Sequence, residues 1–412
     1  MNNSQHMLSL FNIRRLLIFL YGLSTCFGTF AIAGDSRNFT MSFILAMLYM
    51  LSMVISINSI GSTIRKYAQY ITPIFLLIAL ITIMNVFNAN GYNVPMIPIP
   101  MLSCFILFLA MLLHSLFDSK AIEYCILGFA VGSMVLATLF ILGIGIYVED
   151  GILLDEDERM SMFGQNQNEL GLIMAHGIAL VLMFVIKDEL HLGTARYLLT
   201  IPVVFMLSLL LSSASRAAFV SLVLIAVLIV LLHKANGCLS QITFWLISIG
   251  LCIWGLYHLD ASEIMYERIM MTLEEGNSSG RGDIWSALMP RLLETPILGV
   301  GQTGYADVAH KELSGISRVM HEYGYSPHNV FIEVFAYSGI VGLCLILTFW
   351  TRITRDSVNI YKNVGNILPM LLLVPILLSI LTGQVLANKF AWVVYAYIVI
   401  LNSNYKQTLC IK

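Results

Sequence analysis

The sequence predicts an all-α membrane protein, a polytopic helix bundle of about twelve transmembrane helices with one helical segment on the outer side of the membrane. Of the 412 residues, 58% are hydrophobic and only 11% are charged, whereas soluble domains carry about 25% charged residues. Apolar runs of bilayer-spanning length recur along the whole chain. The net charge of −2 provides no basic field for binding nucleic acid.

Twelve runs approach the roughly 20 apolar residues that a transmembrane helix needs. They lie at about 16–33, 39–60, 68–88, 96–117, 124–148, 170–186, 197–212, 217–232, 241–259, 329–350, 367–384 and 390–402. The runs divide the chain into N-terminal transmembrane helices over 1–148, an outer loop over 149–168, central transmembrane helices over 169–259, a periplasmic helical segment over 260–327 and C-terminal transmembrane helices over 328–412.

The distribution of lysine and arginine predicts that both termini are cytoplasmic, because cytoplasmic loops of membrane proteins are enriched in these residues. With this orientation the short outer loops contain only Arg37, Arg159, Arg216 and Lys389. One alternative concerns the first run, because Arg14 and Arg15 followed by Ala31-Ile32-Ala33 imitate a cleavable signal peptide. Cleavage there would not change the sidedness of later segments.

The outer segment 260–327 contains two predicted helices. The first begins at a capping-box-like Asp260-Ala-Ser-Glu263 and ends at Gly276. The second covers 283–294, where four apolar residues recur at helical spacing, although Pro290 removes a backbone donor. These residues are Trp285, Leu288, Met289 and Leu292. Both helices are suited to lie on the membrane surface.

Three arginines and one histidine lie at or near outer ends of predicted spans: Arg159, Arg216, Arg281 and His328. Arginine binds phosphate through a planar fork of donors and stays charged, so the set suits a diphosphate and a proton transfer. Arg216 follows a serine-rich turn between two short runs and is expected to face a polar cavity below the surface. Each arginine also has a simpler interpretation: snorkelling for Arg216, a loop position for Arg281 and a local ion pair for Arg159.

His328 opens the run at 329–350, and its ordinary pKa of about 6.5 suits a general base; a helix-capping role is the alternative. Glu333 is the only acid well inside a predicted span, and we expect it to orient His328 or to accept a hydrogen bond from Asn329. Gly299-Val-Gly301-Gln-Thr-Gly304 fits a dinucleotide-binding pattern by letter, but no strand–helix–strand unit surrounds it, so a flexible turn is predicted. Metal-binding motifs are missing from the sequence, so no metal and no cofactor is expected.

In this order, the outer segments resemble the O-antigen polymerase and ligase superfamily of bacterial envelope enzymes. The matching pieces are Arg159 with Phe163-Gly-Gln-Asn-Gln-Asn168, Ser213-Ala-Ser-Arg216, Gly280-Arg-Gly-Asp-Ile-Trp285, Pro296-Ile-Leu-Gly-Val-Gly301, Pro327-His-Asn-Val-Phe-Ile-Glu333 and Ser338-Gly-Ile-Val-Gly342. The likeness covers about 150–345, while the first spans agree only in hydropathy.

The resemblance implies an enzyme of the inner membrane that moves an undecaprenyl-diphosphate-linked glycan to an acceptor sugar on the periplasmic face without a metal. The catalytic residues it implies are Arg216, Arg281 and His328, with the arginines gripping the diphosphate and the histidine activating the acceptor hydroxyl. Substrate binding is assigned to Arg159, Asn168, Asn329 and Glu333. The expected partners are the lipid-linked donor, an acceptor glycan or lipid A–core, membrane lipid and envelope polysaccharide assembly proteins, but no nucleic acid.

The motifs at 327–342 favour a polymerase of repeat units over a ligase that transfers finished glycan to lipid A–core. Transfer to a protein serine is a related alternative. The rival from another class is a transporter or flippase, which shares the number of spans. Transporters usually show internal repeats and often intramembrane charges, whereas the charges of this chain cluster at one face. A non-catalytic scaffold is disfavoured because buried arginines would be an unneeded cost.

Overall fold

The computed structural model describes residues 3–28, 40–89, 94–149, 159–187, 191–232, 265–266, 269–270, 281–313, 327–381 and 385–411. The helices are α1 (Asn3–Thr25), α2 (Met41–Met53), α3 (Ile60–Phe87), α4 (Ile99–His114), α5 (Ala121–Ile141), α6 (Gln167–Lys187), α7 (Thr200–Ser212), α8 (Arg216–Leu232), α9 (Arg281–Leu292), α10 (Gly301–Leu313), α11 (Val330–Val364), α12 (Leu368–Ile380) and α13 (Lys389–Ile411). Two short 3-10 helices cover Val54–Ser59 and Gly193–Leu199. The described strands are β1 (Ile146–Glu149) and β2 (Arg159–Met162), which pair antiparallel.

This architecture confirms a helical membrane protein. Among the described residues, five helical stretches are long and apolar enough to cross a bilayer: Met41–Phe87, Ala121–Ile141, Gln167–Lys187, Gly193–Ser212 and Val330–Val364. Helices α4, α8 and α12 are apolar but shorter. The count of about twelve spans is not confirmed. The predicted span 241–259 and most of the predicted helix ending at Gly276 lie outside the described residues.

Several predicted boundaries differ from the structure. The runs 39–60 and 68–88 belong to one helical stretch, Met41–Phe87, because the 3-10 segment and a kink at Tyr67 replace the expected loop. The run 124–148 is too long, since α5 ends at Ile141 and β1 starts at Ile146. Glycines with positive φ at Gly143 and Gly145 separate these elements, a conformation that costs glycine little.

The first helix also begins earlier than the predicted run 16–33, so Arg14 and Arg15 lie inside α1. Both guanidinium groups have protein partners that make this placement tolerable. Arg14 donates to the Ser52 carbonyl at 2.8 Å, and Arg15 stacks over the rings of Phe11 and Tyr124. Paired in this way, the two arginines cost less inside a hydrophobic helix than isolated charges would.

Two compact units make up the fold, and each is assembled from three stretches of chain. The first comprises Met1–Ser52, Lys120–Glu275 and Ile360–Pro375, and the second comprises Met53–Ser119, Gly276–Asn359 and Ile376–Lys412. Each unit therefore draws on segments that are distant in sequence. The five-part division predicted above follows the order of spans along the chain rather than this packing, and it stays a prediction.

In the first unit, α1 and α5 pack through small residues. A Cβ atom on Gly22 would overlap the Cys125 carbonyl, and one on Gly128 would overlap the Phe19 carbonyl. Backbones of membrane helices approach this closely only where the side chains are small. His176 of α6 is buried, and its two ring nitrogens contact the carbonyls of Leu172 and Leu372.

In the second unit, an aromatic cluster joins α4, α11 and α13. Phe108 and Trp392 have ring centroids 5.7 Å apart, and Phe349 and Tyr395 have centroids 5.2 Å apart. The Trp350 indole donates to the Tyr395 hydroxyl at 3.1 Å. Edge-to-face ring pairs of this kind contribute about 0.5–1.5 kcal/mol each beyond their buried area.

Helix α11 is broken at Gly339, whose φ of 61° and ψ of −159° are not helical. The backbone of residues 296–301 fills the break. Val300 N–H donates to the Ala336 carbonyl at 2.7 Å, and Ile340 N–H donates to the Pro296 carbonyl at 2.8 Å. The predicted flexible turn at 299–304 is therefore wrong, because this segment is hydrogen-bonded to α11 and starts α10 at Gly301.

Candidate active site

The first unit brings two predicted site motifs together at the start of α6. The Asn166 side chain accepts from the backbone N–H of Asn168 at 2.9 Å and therefore caps this helix. Asn168, predicted to bind substrate, occupies the first turn and is half-buried. The positive end of the α6 dipole lies at this point and favours a nearby anion.

Residues 213–216, called the serine turn below, pack directly against α6. A Cβ atom on Gly171 would approach Ser213 Oγ, Ser215 Cβ and Ala218 Cβ to 2.8 Å. Ser213 and Ser215 are fully buried, and Ser215 Oγ accepts from Ala218 N–H at 3.4 Å at the start of α8. Arg216 is half-buried and opens α8. The start of α6 and the start of α8 are therefore neighbours in this unit.

Strand β2 leads into the same region. Arg159, predicted to bind the diphosphate, begins β2 opposite Glu149 in the antiparallel register. The next residues turn sharply, because Phe163 and Gly164 both have positive φ. Gln165, which is buried, donates to the Cys26 carbonyl at 2.7 Å and fixes this turn against α1. The acidic run 150–158 lies outside the described residues.

In the second unit, α9 packs against α10 and contacts the turn that contains the predicted histidine. Its apolar face, Ile284, Leu288 and Leu292, is buried against Tyr305 and Ala309 of α10. This confirms the predicted helix over 283–294, which the structure places at Arg281–Leu292. Leu288 and Leu292 of the predicted face are buried, whereas Trp285 and Met289 are partly buried and Ile284, which was not predicted, completes the face.

Residues 327–329, called the histidine turn below, join this helical pair to α11. The Trp285 indole donates to the Pro327 carbonyl at 2.8 Å. The Asn329 side chain accepts from Phe331 N–H at 2.9 Å and caps α11. Between them, His328 has a φ of 48°. The structure thus gives Asn329 a capping contact, and its predicted role in substrate binding stays a prediction.

Burial lowers the pKa of His328 below its ordinary value, and the nearby positive charge of Arg281 lowers it further. Both effects disfavour the imidazolium. The neutral imidazole is the form that accepts a proton, and the predicted role of His328 as a base stays a prediction. Arg281 occupies the first position of α9, where it is half-buried.

Glu333 is buried one turn into α11 and has a partner different from those predicted. Its carboxyl group hydrogen-bonds with the Tyr337 hydroxyl, and the Tyr337 ring packs edge-on against Tyr305 with centroids 5.6 Å apart. The predicted contact with Asn329 is a backbone one, from Glu333 N–H to the Asn329 carbonyl at 3.0 Å. Glu333 thus belongs to a polar group with Tyr337.

Four described residues other than glycine have positive φ: Phe163, His191, Ala214 and His328. Three of them fall within the motifs that sequence analysis selected. Left-handed backbone costs such residues roughly 1–2 kcal/mol and is concentrated at functional sites. Trp285 lay inside a quoted motif, but its hydrogen bond to the histidine turn was not predicted.

Asn85 is a structural residue that the sequence did not reveal. Its side chain accepts from Gln302 N–H at 2.5 Å and donates to the Met96 carbonyl at 2.9 Å. It therefore caps α10 from a different helix, α3. An asparagine in an apolar run was the available signal, because buried polar side chains in membrane helices usually have a specific partner. Among the described residues, no group of three or more His, Cys, Asp or Glu side chains is arranged to hold a metal ion.

Residues 201–347 match a family described as O-antigen ligase. The matched residues make up about a third of the chain and are similar to that family. No curated protein and no solved structure matches the chain.

The matched segment includes Arg216, Arg281, His328, Asn329 and Glu333. The family therefore covers the serine turn, α9, α10 and the histidine turn. Arg159 and Asn168 lie before the segment, so their predicted roles rest on the resemblance of the motifs and on the packing of α6 against the serine turn. Similarity to this family suggests a membrane enzyme of the glycosyltransferase kind, with a lipid-linked glycan donor and an acceptor.

Proposed function

We propose that the protein transfers a glycan from undecaprenyl diphosphate to an acceptor sugar hydroxyl on the periplasmic face of the bacterial inner membrane, with both termini in the cytoplasm. One observation carries this proposal: the family-matched segment presents a histidine whose pKa is lowered by burial and by Arg281. A neutral imidazole beside a guanidinium combines a base with a binding group for a diphosphate.

The residues have distinct roles in the proposed reaction. His328 takes the proton from the acceptor hydroxyl while the oxygen forms a bond to the anomeric carbon. The bond between that carbon and the diphosphate oxygen breaks, and undecaprenyl diphosphate leaves with the electron pair. Arg216 and Arg281 stabilise the charge that develops on the diphosphate, and Arg159 and Asn168 bind the donor. The reaction is proposed to need no metal ion.

The acceptor defines the finer activity, and we propose polymerisation of O-antigen or other surface polysaccharide repeat units. Ligation to lipid A–core is the second candidate, favoured by the description of the matched family as O-antigen ligase. A strain that lacks the gene separates the two. One repeat unit per core indicates a polymerase, whereas bare core with accumulated lipid-linked polymer indicates a ligase.

The decisive experiment is transfer in vitro with purified protein, a defined undecaprenyl-diphosphate-linked donor and either repeat-unit or lipid A–core acceptor. Wild-type protein should form product in the presence of a chelator, and His328→Ala should not. His310→Ala is the matched control, because His310 is an exposed imidazole on α10. Solute movement into liposomes without consumption of donor would instead indicate a transporter.

A further inference from the structure

A cavity of about 190 Å³ lies within the second unit, next to the Glu333–Tyr337 pair. It is lined by Ile81, Pro100, Met101, Gln302, Glu333, Tyr337, Leu386 and Ala387. His328 and Arg281 are not among these lining residues. The cavity is therefore distinct from the residues to which we assign the chemistry.

The lining combines apolar walls with a few polar groups, as is typical of ligand pockets. Glu333 is only 8% exposed, yet it lies in a helix whose other residues are mostly apolar. Carboxyl groups in such surroundings are costly and usually functional. Glu333, Tyr337 and Gln302 all line the cavity, so a carboxyl, a hydroxyl and an amide are placed where a ligand could form hydrogen bonds with them.

We infer that this cavity binds one neutral sugar ring of the glycan substrate, an inference that rests on the proposed function. A pyranose presents hydroxyl groups at its edge, which suit a carboxyl and an amide, and an apolar face, which suits an aromatic ring and aliphatic walls. The volume is below the roughly 300–1,000 Å³ of pockets for drug-sized ligands. It therefore accommodates one ring, and the rest of the glycan extends beyond it.

The position of Glu333 relates the cavity to the histidine turn. Glu333 lies four residues after Asn329 in the same helical segment, which corresponds to a rise of about 6 Å. The break at Gly339 and the capping of α10 by Asn85 hold Tyr337 and Gln302 in place. A sugar that contacts Glu333 would thus lie about one helical turn along α11 from the histidine turn.

The test measures KM and kcat separately for donor and acceptor with Glu333→Gln and Gln302→Met, both of which preserve side-chain length. The expected result is a KM for one glycan substrate raised about three- to tenfold, the loss typical of one neutral hydrogen bond, with kcat changed much less. The substrate whose KM rises identifies the cavity as a donor or an acceptor subsite. Glu312→Gln is the matched control, because Glu312 lies on α10 in a surface ion pair with Arg291.

Direct binding separates this inference from the proposed function. The probe is the free repeat-unit oligosaccharide as its methyl glycoside, titrated into protein in nanodiscs by calorimetry. Binding that is weakened in both variants supports the subsite even if wild-type protein transfers no glycan. Unchanged KM values and unchanged binding in a folded Gln302→Met protein would overturn the subsite.

Discussion

The serine turn and the histidine turn have the same backbone design but use it differently. In each, a residue with a φ of 48° precedes a side chain that caps the next helix: Ala214 before Ser215, and His328 before Asn329. In the serine turn the functional candidate is Arg216, which follows the cap and belongs to the helix. In the histidine turn it is the left-handed residue itself.

This difference indicates what each turn must preserve. Ala214 contributes only its backbone conformation, and its turn is positioned by packing on Gly171. His328 contributes a side chain whose direction depends on that conformation, and its turn is held by a hydrogen bond from Trp285. A strained residue that also carries the chemistry cannot be exchanged for glycine, whereas one that only shapes the chain can.

The largest expected effect comes from placing glycine at the left-handed position of each turn. His328→Gly should reduce the transfer rate by about 10²- to 10⁴-fold, the usual contribution of a general base. Ala214→Gly should leave transfer within about threefold, because relief of left-handed strain offsets the greater chain entropy of glycine. Turnover of a lipid-linked donor by both purified variants measures the contrast.

Folding must be equal for this comparison to hold, and the midpoint of thermal unfolding in detergent provides the check. A loss of activity in Ala214→Gly as large as that in His328→Gly would show that the left-handed backbone, rather than the imidazole, is what the reaction needs.

A second prediction asks whether the two turns serve one donor. Arg216→Lys and Arg281→Lys should each lower kcat/KM by about ten- to one-hundredfold, because lysine keeps the charge but lacks the planar fork that binds a diphosphate. If both arginines bind the same group, the double variant should lose less than the product of the single losses. Arg291→Lys is the control, since Arg291 is an exposed residue of α9 in surface ion pairs.

Strictly multiplicative losses in the double variant would contradict a shared diphosphate. They would leave the histidine turn as a site of its own and would assign Arg216 to the packing of the first unit.

Local sequence patterns predicted the features that depend on residues close together along the chain. The spacing of Leu288 and Leu292 predicted part of the buried face of α9, and composition predicted the membrane class. The filled break in α11 could not be predicted, because the residues on either side of Gly339 pair with residues some forty positions earlier through backbone hydrogen bonds that no side-chain periodicity encodes. The motif glycines Gly299 and Gly339 were visible, but their mutual contact was not.

The candidate site shows the same limit. Sequence alone selected His328 and Arg281, and the structure brings them close enough to interact. The sequence could not reveal that Trp285 holds the histidine turn, because an indole at helical spacing is also expected on an apolar face. Tyr337 was missed as the partner of Glu333, although one helical turn separates them.

A third prediction tests how the histidine turn is held. Trp285→Phe keeps an aromatic ring but removes the donor to Pro327, so kcat should fall by about three- to tenfold, as expected for one neutral hydrogen bond. The KM for the donor should change little, since Trp285 is proposed to position His328 and not to touch substrate.

In the serine turn the counterpart is Gly171→Ala, which should lower thermal stability because the added methyl group has no room. If Trp285→Phe lost enough thermal stability to account for its fall in kcat, Trp285 would have a purely structural role.

The smallest expected effect concerns pH. The rate should fall as pH decreases through the pKa of His328, because protonation removes the base. This acidic limb of the pH–rate profile should lie below about pH 6.5, since burial and Arg281 both lower that pKa. Arg281→Met removes the second cause only. The limb of kcat/KM should therefore move to higher pH yet stay below the ordinary value, because burial, the larger cause, remains. Arg291→Met should leave the limb in place. A limb that does not move in Arg281→Met would show that the charge of Arg281 is not felt at His328, and the histidine turn would then differ from the serine turn only in the side chain at its left-handed position.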